Sequence, residues 1–473
     1  MATPASPIGI LRPPTGGLIS SDNWEKVAAI LILGYLCTTR SFAYLGLPWI
    51  RLYVAEITLA AFLLLGPKTK QGSWLGGAWH CSELRRLKRL VLVLLCYGAF
   101  EALHGIQSGY PAFTAARDTA FNYYPLFLFL GIWVGLRDRD FLERVLRALA
   151  WWNGCYGLAF VLFLNRVSWT MPGTGSAPSP VPFFGGPYGS AVALLGLITF
   201  ERQLRRVWHL IALNLLVLLG MQMRAEWVSF FVGLLVFAWC TKRVKHLMIA
   251  GGLMVLLIGV MYVTKIDLPS PTSRGGRISA DSLVARAVAP FNPSLAFDLA
   301  PPEDAGQFTD TAQWRLVWWL SIWETVHADA SHALLGLGYG YPLGDLNPWI
   351  EPGEFIQTPH NAFFYALGYS GWIGVILFGL LQIELLRLTW RSYKISAQPF
   401  GLICCAALLA GSLFAEFFET PYGAIPYYLL VGAALAPGLT FPRVAPAVEG
   451  ASNIRARSGT AESCEHSDAR DPE

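Results

Sequence analysis

From residue 27 to residue 441 the chain is a succession of apolar runs separated by short charged breaks. A helix needs ~20 residues to cross a bilayer. Measured against that length, about twelve runs qualify, near 27–45, 49–66, 89–106, 119–136, 148–164, 188–200, 206–221, 226–240, 247–263, 360–382, 398–416 and 424–440. The pattern predicts an all-α, polytopic integral membrane protein with about twelve transmembrane helices. Composition agrees: 54% of residues are hydrophobic, 14% are charged and the mean hydropathy is +0.45, too apolar for a soluble globule of this length.

Position matters more than the net charge of +4. The break after the second run carries Lys68, Lys70, Arg85, Arg86, Lys88 and Arg89, and the break after the fourth carries Arg137, Arg139, Arg144 and Arg147. Every second break afterwards repeats the feature: Arg202, Arg205 and Arg206, then Lys242, Arg243 and Lys245, then Arg387, Arg391 and Lys394. The positive-inside rule puts these breaks in the cytoplasm together with both termini. The chain therefore divides into a cytoplasmic N-terminal segment (1–26), nine helices (27–263), one large extracytoplasmic loop (264–359), three helices (360–441) and a disordered cytoplasmic tail (442–473). The polar, Pro- and Gly-rich start lacks a basic region joined to an apolar core, so no cleaved signal peptide is expected. Cys37, Cys96, Cys155, Cys240, Cys404 and Cys405 lie in or beside apolar runs without metal-type spacing and read as buried small apolar residues.

Inside the large loop, TAQWRLVWWLSIWETVHADASHALLG sets Trp314, Trp318, Trp319 and Trp323 at near-helical spacing. It reads either as an amphipathic helix in the outer interface, where Trp is favoured, or as a helix packed on the membrane domain. The GLGYGY at 336–341 follows an aromatic helix, not a strand, which excludes a dinucleotide loop. Glu101 and His104 share one helical face and read as a buried structural pair. No DxD-like pair marks a nucleotide-sugar site among Asp298, Glu303, Asp304 and Asp310.

The outer side keeps isolated arginines where basic residues are normally depleted: Arg40, Arg51, Arg117, Arg166, Arg224, Arg274, Arg277, Arg286 and Arg315. A guanidinium offers phosphate a planar two-pronged grip and is weakly hydrated, so several on one face point to an anion at the outer membrane surface. Arg224 sits in MQMRAEW, a tight turn between two apolar runs. It serves that anion, snorkels, or pairs with Glu226. A further polar group opens the tenth run, QTPHNAFFYALGYSGWIGVILFGLL. Thr358, Pro359 and Asn361 are helix-start residues. His360 either shares that role or moves a proton at the mouth of a membrane cavity.

Three stretches, MRAEWVSFFVGLL, QWRLVWWLSIWE followed by LLGLGYGY, and TPHNAFFYALGYSGWIGVILF, together with the arrangement of runs, resemble the O-antigen ligase and O-antigen polymerase superfamily of bacterial polysaccharide assembly. The resemblance implies a GT-C-like membrane glycosyltransferase of the bacterial inner membrane with a periplasmic active site. It implies a glycan donor linked to undecaprenyl diphosphate and a glycan or lipid acceptor such as lipid A core, among membrane lipids. Arg224 and Arg315 would bind the diphosphate, His360 would be the catalytic base, and Asn361 would cap the helix or bind substrate hydroxyls. Neither a cofactor, a metal nor a nucleic-acid partner is expected. One departure stands out: FFGGPYGSA has Tyr188 after Pro187 where many relatives have a Pro-Asn pair, so no role passes to that position. A polymerase of O-antigen or exopolysaccharide and a protein O-oligosaccharyltransferase would use the same donor chemistry. A lipid-linked glycan transporter is the rival of a different class, but the runs divide nine to three around the large loop, without the related halves common in transporters. A noncatalytic scaffold would have no need of His360.

A cysteine-accessibility scan checks the topology. Positions near 75, 140, 204, 243 and 392 are expected to be labelled only from the cytoplasmic side and the 264–359 loop only from the other; cytoplasmic labelling of that loop would contradict the reading.

Overall fold

The computed structural model describes residues 21–47, 52–66, 68–69, 72–73, 82–169, 181–182, 186–201, 203–270, 277–288, 292–300, 305–350 and 358–439. The apolar runs fold as helices, because helices satisfy every interior backbone group within one segment. They are α1 (Ser21–Thr38), α2 (Val54–Leu65), α3 (Arg85–Gln107), α4 (Ala112–Arg137, broken by short turns), α5 (Phe141–Leu162), α6 (Ser190–Phe200), α7 (Trp208–Gly220), α8 (Arg224–Thr241) and α9 (Val244–Thr264). The large loop carries α10 (Ala280–Val288), α11 (Pro293–Leu299), α12 (Ala305–His327) and α13 (Ala330–Leu335). The chain then continues through α14 (Ala362–Ser396), α15 (Phe400–Gly411) and α16 (Pro421–Leu435). Strands among the described residues are confined to two-residue ladders.

Each apolar run overlaps a helix. Among the described residues, five helical stretches, those of α3, α4, α5, α8 and α14, are long and apolar enough to cross a membrane. Boundaries differ most at three places: α14 runs on past 382 to Ser396, so Arg387, Arg391 and Lys394 lie on the helix and not in a break. Ser21–Lys26 belongs to α1, where Trp24 is buried, and the run 398–416 stops being helical at Gly411. Cys37, Cys404 and Cys405 are buried as expected, but Cys96 and Cys155 lie on exposed helix surfaces. Residues 1–20 and the tail after 439 lie outside the described residues.

Ion pairs tie together segments that the charge pattern assigns to one side. Arg137 at the end of α4 meets Glu25 at the start of α1 (2.8 Å). Arg391 late in α14 meets Glu83 before α3 (2.5 Å), and Arg147 in α5 meets Glu201 after α6. In the core, α4 and α16 approach until a Cβ at Gly131 or Gly135 would overlap the carbonyl oxygens of Leu429 or Ala433, the small-residue contact that lets apolar helices pack closely. A polar staple joins α5, α6 and α7: Asn153 Nδ2 donates to Ser190 Oγ (2.9 Å) and to Asn214 Oδ1 (3.0 Å).

The longest helix is not straight. At Gly371 in α14 the backbone turns left-handed (φ 56°, ψ −162°), and the break removes the usual donors to the carbonyls before it. The GLGYGY segment supplies replacements: Leu337 N donates to Gly368 O (2.9 Å) and Gly338 N to Tyr369 O (3.1 Å). Two residues on, Gly340 N donates to Asp118 Oδ2 of α4 (3.0 Å). The glycines thus form a clasp between the 264–359 loop and the bundle. Beneath it, His104 Nδ1 lies 3.1 Å from Oε2 of the fully buried Glu101, a structural pair. The clasp also sets α12 against α14. Trp318, Ile322 and Val326 bury one face of α12 completely, whereas Leu316, Leu320 and Trp323 leave an exposed apolar face. This one helix therefore has both a packed side and a side suited to the membrane interface.

Candidate active site

The connection 412–420 between α15 and α16 is irregular backbone, so its carbonyls have no helical donors of their own. Three donors come from elements distant in sequence. Ser412 O accepts from Ala362 N (3.1 Å), Leu413 O from Asn361 Nδ2 (2.9 Å) and Phe414 O from Arg315 NH1 (2.8 Å). The first turn of α14 and the Arg315 side of α12 are thereby fixed to one short segment. The start of α8 reaches the same place, for a Cβ on Gly411 would strike Ser229 Oγ and lie close to Ala225 O.

His360 stands where these elements meet. Its Nδ1 lies 3.2 Å from Oε1 of Glu416 in the connection, with both side chains mostly shielded (15% and 13% exposed). The imidazole centroid is 5.7 Å from that of Trp314, and Trp319 Nε1 donates to Pro359 O (2.7 Å). The backbone of His360 is left-handed (φ 53°), a conformation costing a non-glycine residue ~1–2 kcal/mol. Such a conformation persists only where the surroundings over-determine it. Here the tryptophan donor precedes it, the α14 cap follows it, and a carboxylate holds the ring.

The second oxygen of Glu416 is also occupied. Tyr422 OH donates to Oε2 (2.7 Å), and Arg40, just past α1, approaches it at 3.5 Å with a half-exposed side chain. Burial alone would raise the Glu416 carboxyl. The facing His360 and Arg40, with the hydroxyls of Tyr422 and Thr358, outweigh burial and hold it at about 2. Glu419, three positions further on, goes the other way: desolvation lifts its carboxyl to about 8, even though Phe417 N donates to it.

The residues singled out in the sequence fall into place unequally. Arg315 and His360 converge on the 412–416 segment. Arg224 is the first residue of α8, at the helix end whose N–H groups favour an anion. Glu226 beside it caps α6, accepting from Ser190 N (3.2 Å) and also from Ala191 N. Of the two roles for Asn361, the structure shows the cap: Oδ1 accepts from Phe363 N (2.9 Å) and Phe364 N (3.2 Å) while Nδ2 holds Leu413 O. Among the other outer arginines, Arg117 pairs with Asp118 and Arg277 with Asp267; Arg51 and Arg274 lie outside the described residues. Tyr188, the departure from the usual pair, packs 5.8 Å from Tyr422, at the edge of the Arg40 cluster.

The sequence pattern left Glu416 and Tyr422 unmarked and gave Arg40 no partner. The available signal was FAEFFETPYG, a break holding two acids on the side where charges are scarce.

Residues 190–379 match the family model described as O-Antigen ligase. The search of curated proteins gives no match. The matched region contains Arg224, Arg315, His360 and Asn361, while Arg40, Glu416 and Tyr422 lie outside it.

Because Asn361 is a cap, Asn361→Ala is expected to lower stability by ~1 kcal/mol or somewhat more, visible as a reduced thermal midpoint in detergent, while turnover per folded molecule is largely kept. Loss of turnover at unchanged stability would assign it to substrate instead.

Proposed function

We propose, on the match of residues 190–379 to the O-antigen ligase family model, that the chain belongs to the O-antigen ligase and polymerase superfamily and transfers a glycan from a polyprenyl diphosphate carrier to an acceptor hydroxyl on the outer face of the bacterial inner membrane. The acceptor is of the ligase type, a lipid A core sugar, and the carrier is undecaprenyl diphosphate. The driving force resides in the donor, because cleaving an activated glycosyl diphosphate needs no nucleotide outside the cytoplasm.

In this reaction the acceptor oxygen attacks the anomeric carbon. The bond from that carbon to the diphosphate oxygen breaks, and the electron pair leaves with the diphosphate. His360 takes the acceptor proton, since an imidazole is a good base near neutral pH. Arg224, backed by the N-terminus of α8, and Arg315, on α12, meet the charge that develops on the leaving group. The observation that carries the reading is His360 itself: a histidine held on strained backbone against an ionised carboxylate, at the junction of the segments that bear the arginines. Strain of this kind gathers at functional sites. The exposed apolar face of α12 suits a site whose donor arrives through the lipid.

Purified protein in lipid nanodiscs, given lipid-diphosphate glycan and an acceptor, is expected to release free polyprenyl diphosphate in step with glycan transfer. Supplying lipid A core, a second lipid-linked repeat or a protein acceptor separates ligase, polymerase and oligosaccharyltransferase; movement of intact donor without cleavage would mark a transporter. His360→Ala is expected to stay folded and to bind donor, with turnover reduced by roughly 10²-fold to 10⁴-fold, the usual worth of a positioned general base. Near-normal turnover would remove the imidazole from the chemistry.

Arg224→Lys provides a separate check on the anion site. An ammonium cannot reproduce the two-pronged grip of a guanidinium, so this variant is expected to be markedly impaired at limiting donor despite normal expression. Full activity would instead make Arg224 a snorkelling side chain.

A further inference from the structure

We infer that Glu416 is the positioning residue of this site: its carboxylate holds the Nδ1–H of His360 and thereby leaves the Nε2 lone pair as the base for the acceptor hydroxyl. The inference rests on the reading of His360 as that base and adds a residue that lies outside the family match.

A neutral imidazole carries one proton on either of two nitrogens, and only the unprotonated nitrogen can accept another. An ionised carboxylate can only accept a hydrogen bond, so Nδ1 facing Glu416 Oε1 at 3.2 Å must carry the ring proton. The tautomer is then set by geometry. Glu416 is itself constrained, since Tyr422 OH (2.7 Å) and Arg40 (3.5 Å) engage Oε2, so Oε1 is the oxygen presented to the ring. The facing His360 first, then Arg40 and the Tyr422 hydroxyl, hold the carboxyl low against burial. The segment carrying it is pinned by Ala362, Asn361 and Arg315 through consecutive carbonyls, which leaves little freedom in where the carboxylate stands relative to the ring.

The proton balance is simple. When the acceptor oxygen bonds to the anomeric carbon and the diphosphate departs, the hydroxyl proton moves to Nε2. The imidazolium now has protons on both nitrogens and faces a negative carboxylate, which stabilises it without taking a proton. The ring then gives the Nε2 proton to water and returns to the starting tautomer. Arg40, half exposed, remains on the far side of the carboxylate throughout.

Glu416→Gln keeps the shape but can present an amide N–H to Nδ1, which moves the ring proton to Nε2 and removes the base. Its expected kcat is lower by roughly 10²-fold or more, as for loss of an orienting carboxylate elsewhere, with the KM for lipid-diphosphate donor changed by about twofold at most. Glu416→Asp is expected to recover part of the loss, because the charge is kept and only reach is shortened. The double variant His360→Ala/Glu416→Gln is expected to be no slower than His360→Ala alone, because residues acting as one unit are not additive. Should Glu416→Gln fail to accumulate in the membrane, Tyr422→Phe takes its place, with kcat expected to fall severalfold at unchanged donor KM.

The outcomes separate this inference from the one beneath it. A crippled His360→Ala beside a near-normal Glu416→Gln, or Tyr422→Phe with unaltered kcat where that variant is used, overturns the positioning role alone. Additive losses in the double variant also overturn it, since Glu416 would then act apart from His360. A near-normal His360→Ala overturns the base assignment first.

Discussion

The site is organised by one set of contacts: three consecutive carbonyls of the unwound segment 412–416 are held by donors from elements distant in sequence. Their donors are the first N–H of α14, the Asn361 amide and the Arg315 guanidinium. These contacts fix the start of α14 and the Arg315 side of α12 to one segment, and the carboxylate two residues beyond Phe414 is delivered to His360 by the same placement. In this sense the chemistry of the site follows from how the backbone of one segment is held.

His360 carries the cost of that arrangement in its own backbone. Left-handed geometry at a bulky residue opposes folding by ~1–2 kcal/mol, and it is held by Trp319 on Pro359, by the Asn361 cap and by Glu416 on the ring. The second left-handed position of the region, Gly371, acts at longer range. By breaking α14 it opens two carbonyls that the GLGYGY clasp fills, and the clasp anchors the 264–359 loop from which α12 presents Trp314, Arg315 and Trp319. Glycine is needed there because a Cβ would meet Leu334 O and Gly336 N.

Electrostatics divides the connection into two unlike halves. Glu416, faced by His360 and Arg40, stays ionised far into acid, whereas Glu419 is pushed up to about 8 by desolvation. Two carboxyls on one short segment thus suit different tasks, as environment and not residue type decides protonation.

The sequence by itself determined the all-α architecture, the positions of the apolar helices and the residues of the family motif, because each is written in local information. Apolar run length, the distribution of Lys and Arg, and a Thr-Pro-His-Asn helix start can be read without knowing what lies nearby. The cap is a case in point: Asn361 bonds the N–H groups of Phe363 and Phe364, two and three positions away. Helix breaks were less legible, since the kink at Gly371 lies inside an unbroken apolar run and depends on the clasp that fills it. What tertiary structure alone decided is the company His360 keeps. Arg40, near the start of the chain, meets Glu416 and Tyr422, which sit six positions apart near its end, and no periodicity links them to His360. Their meeting follows from helix packing and from the hydrogen bonds of one unwound connection, long-range terms that a linear pattern does not contain.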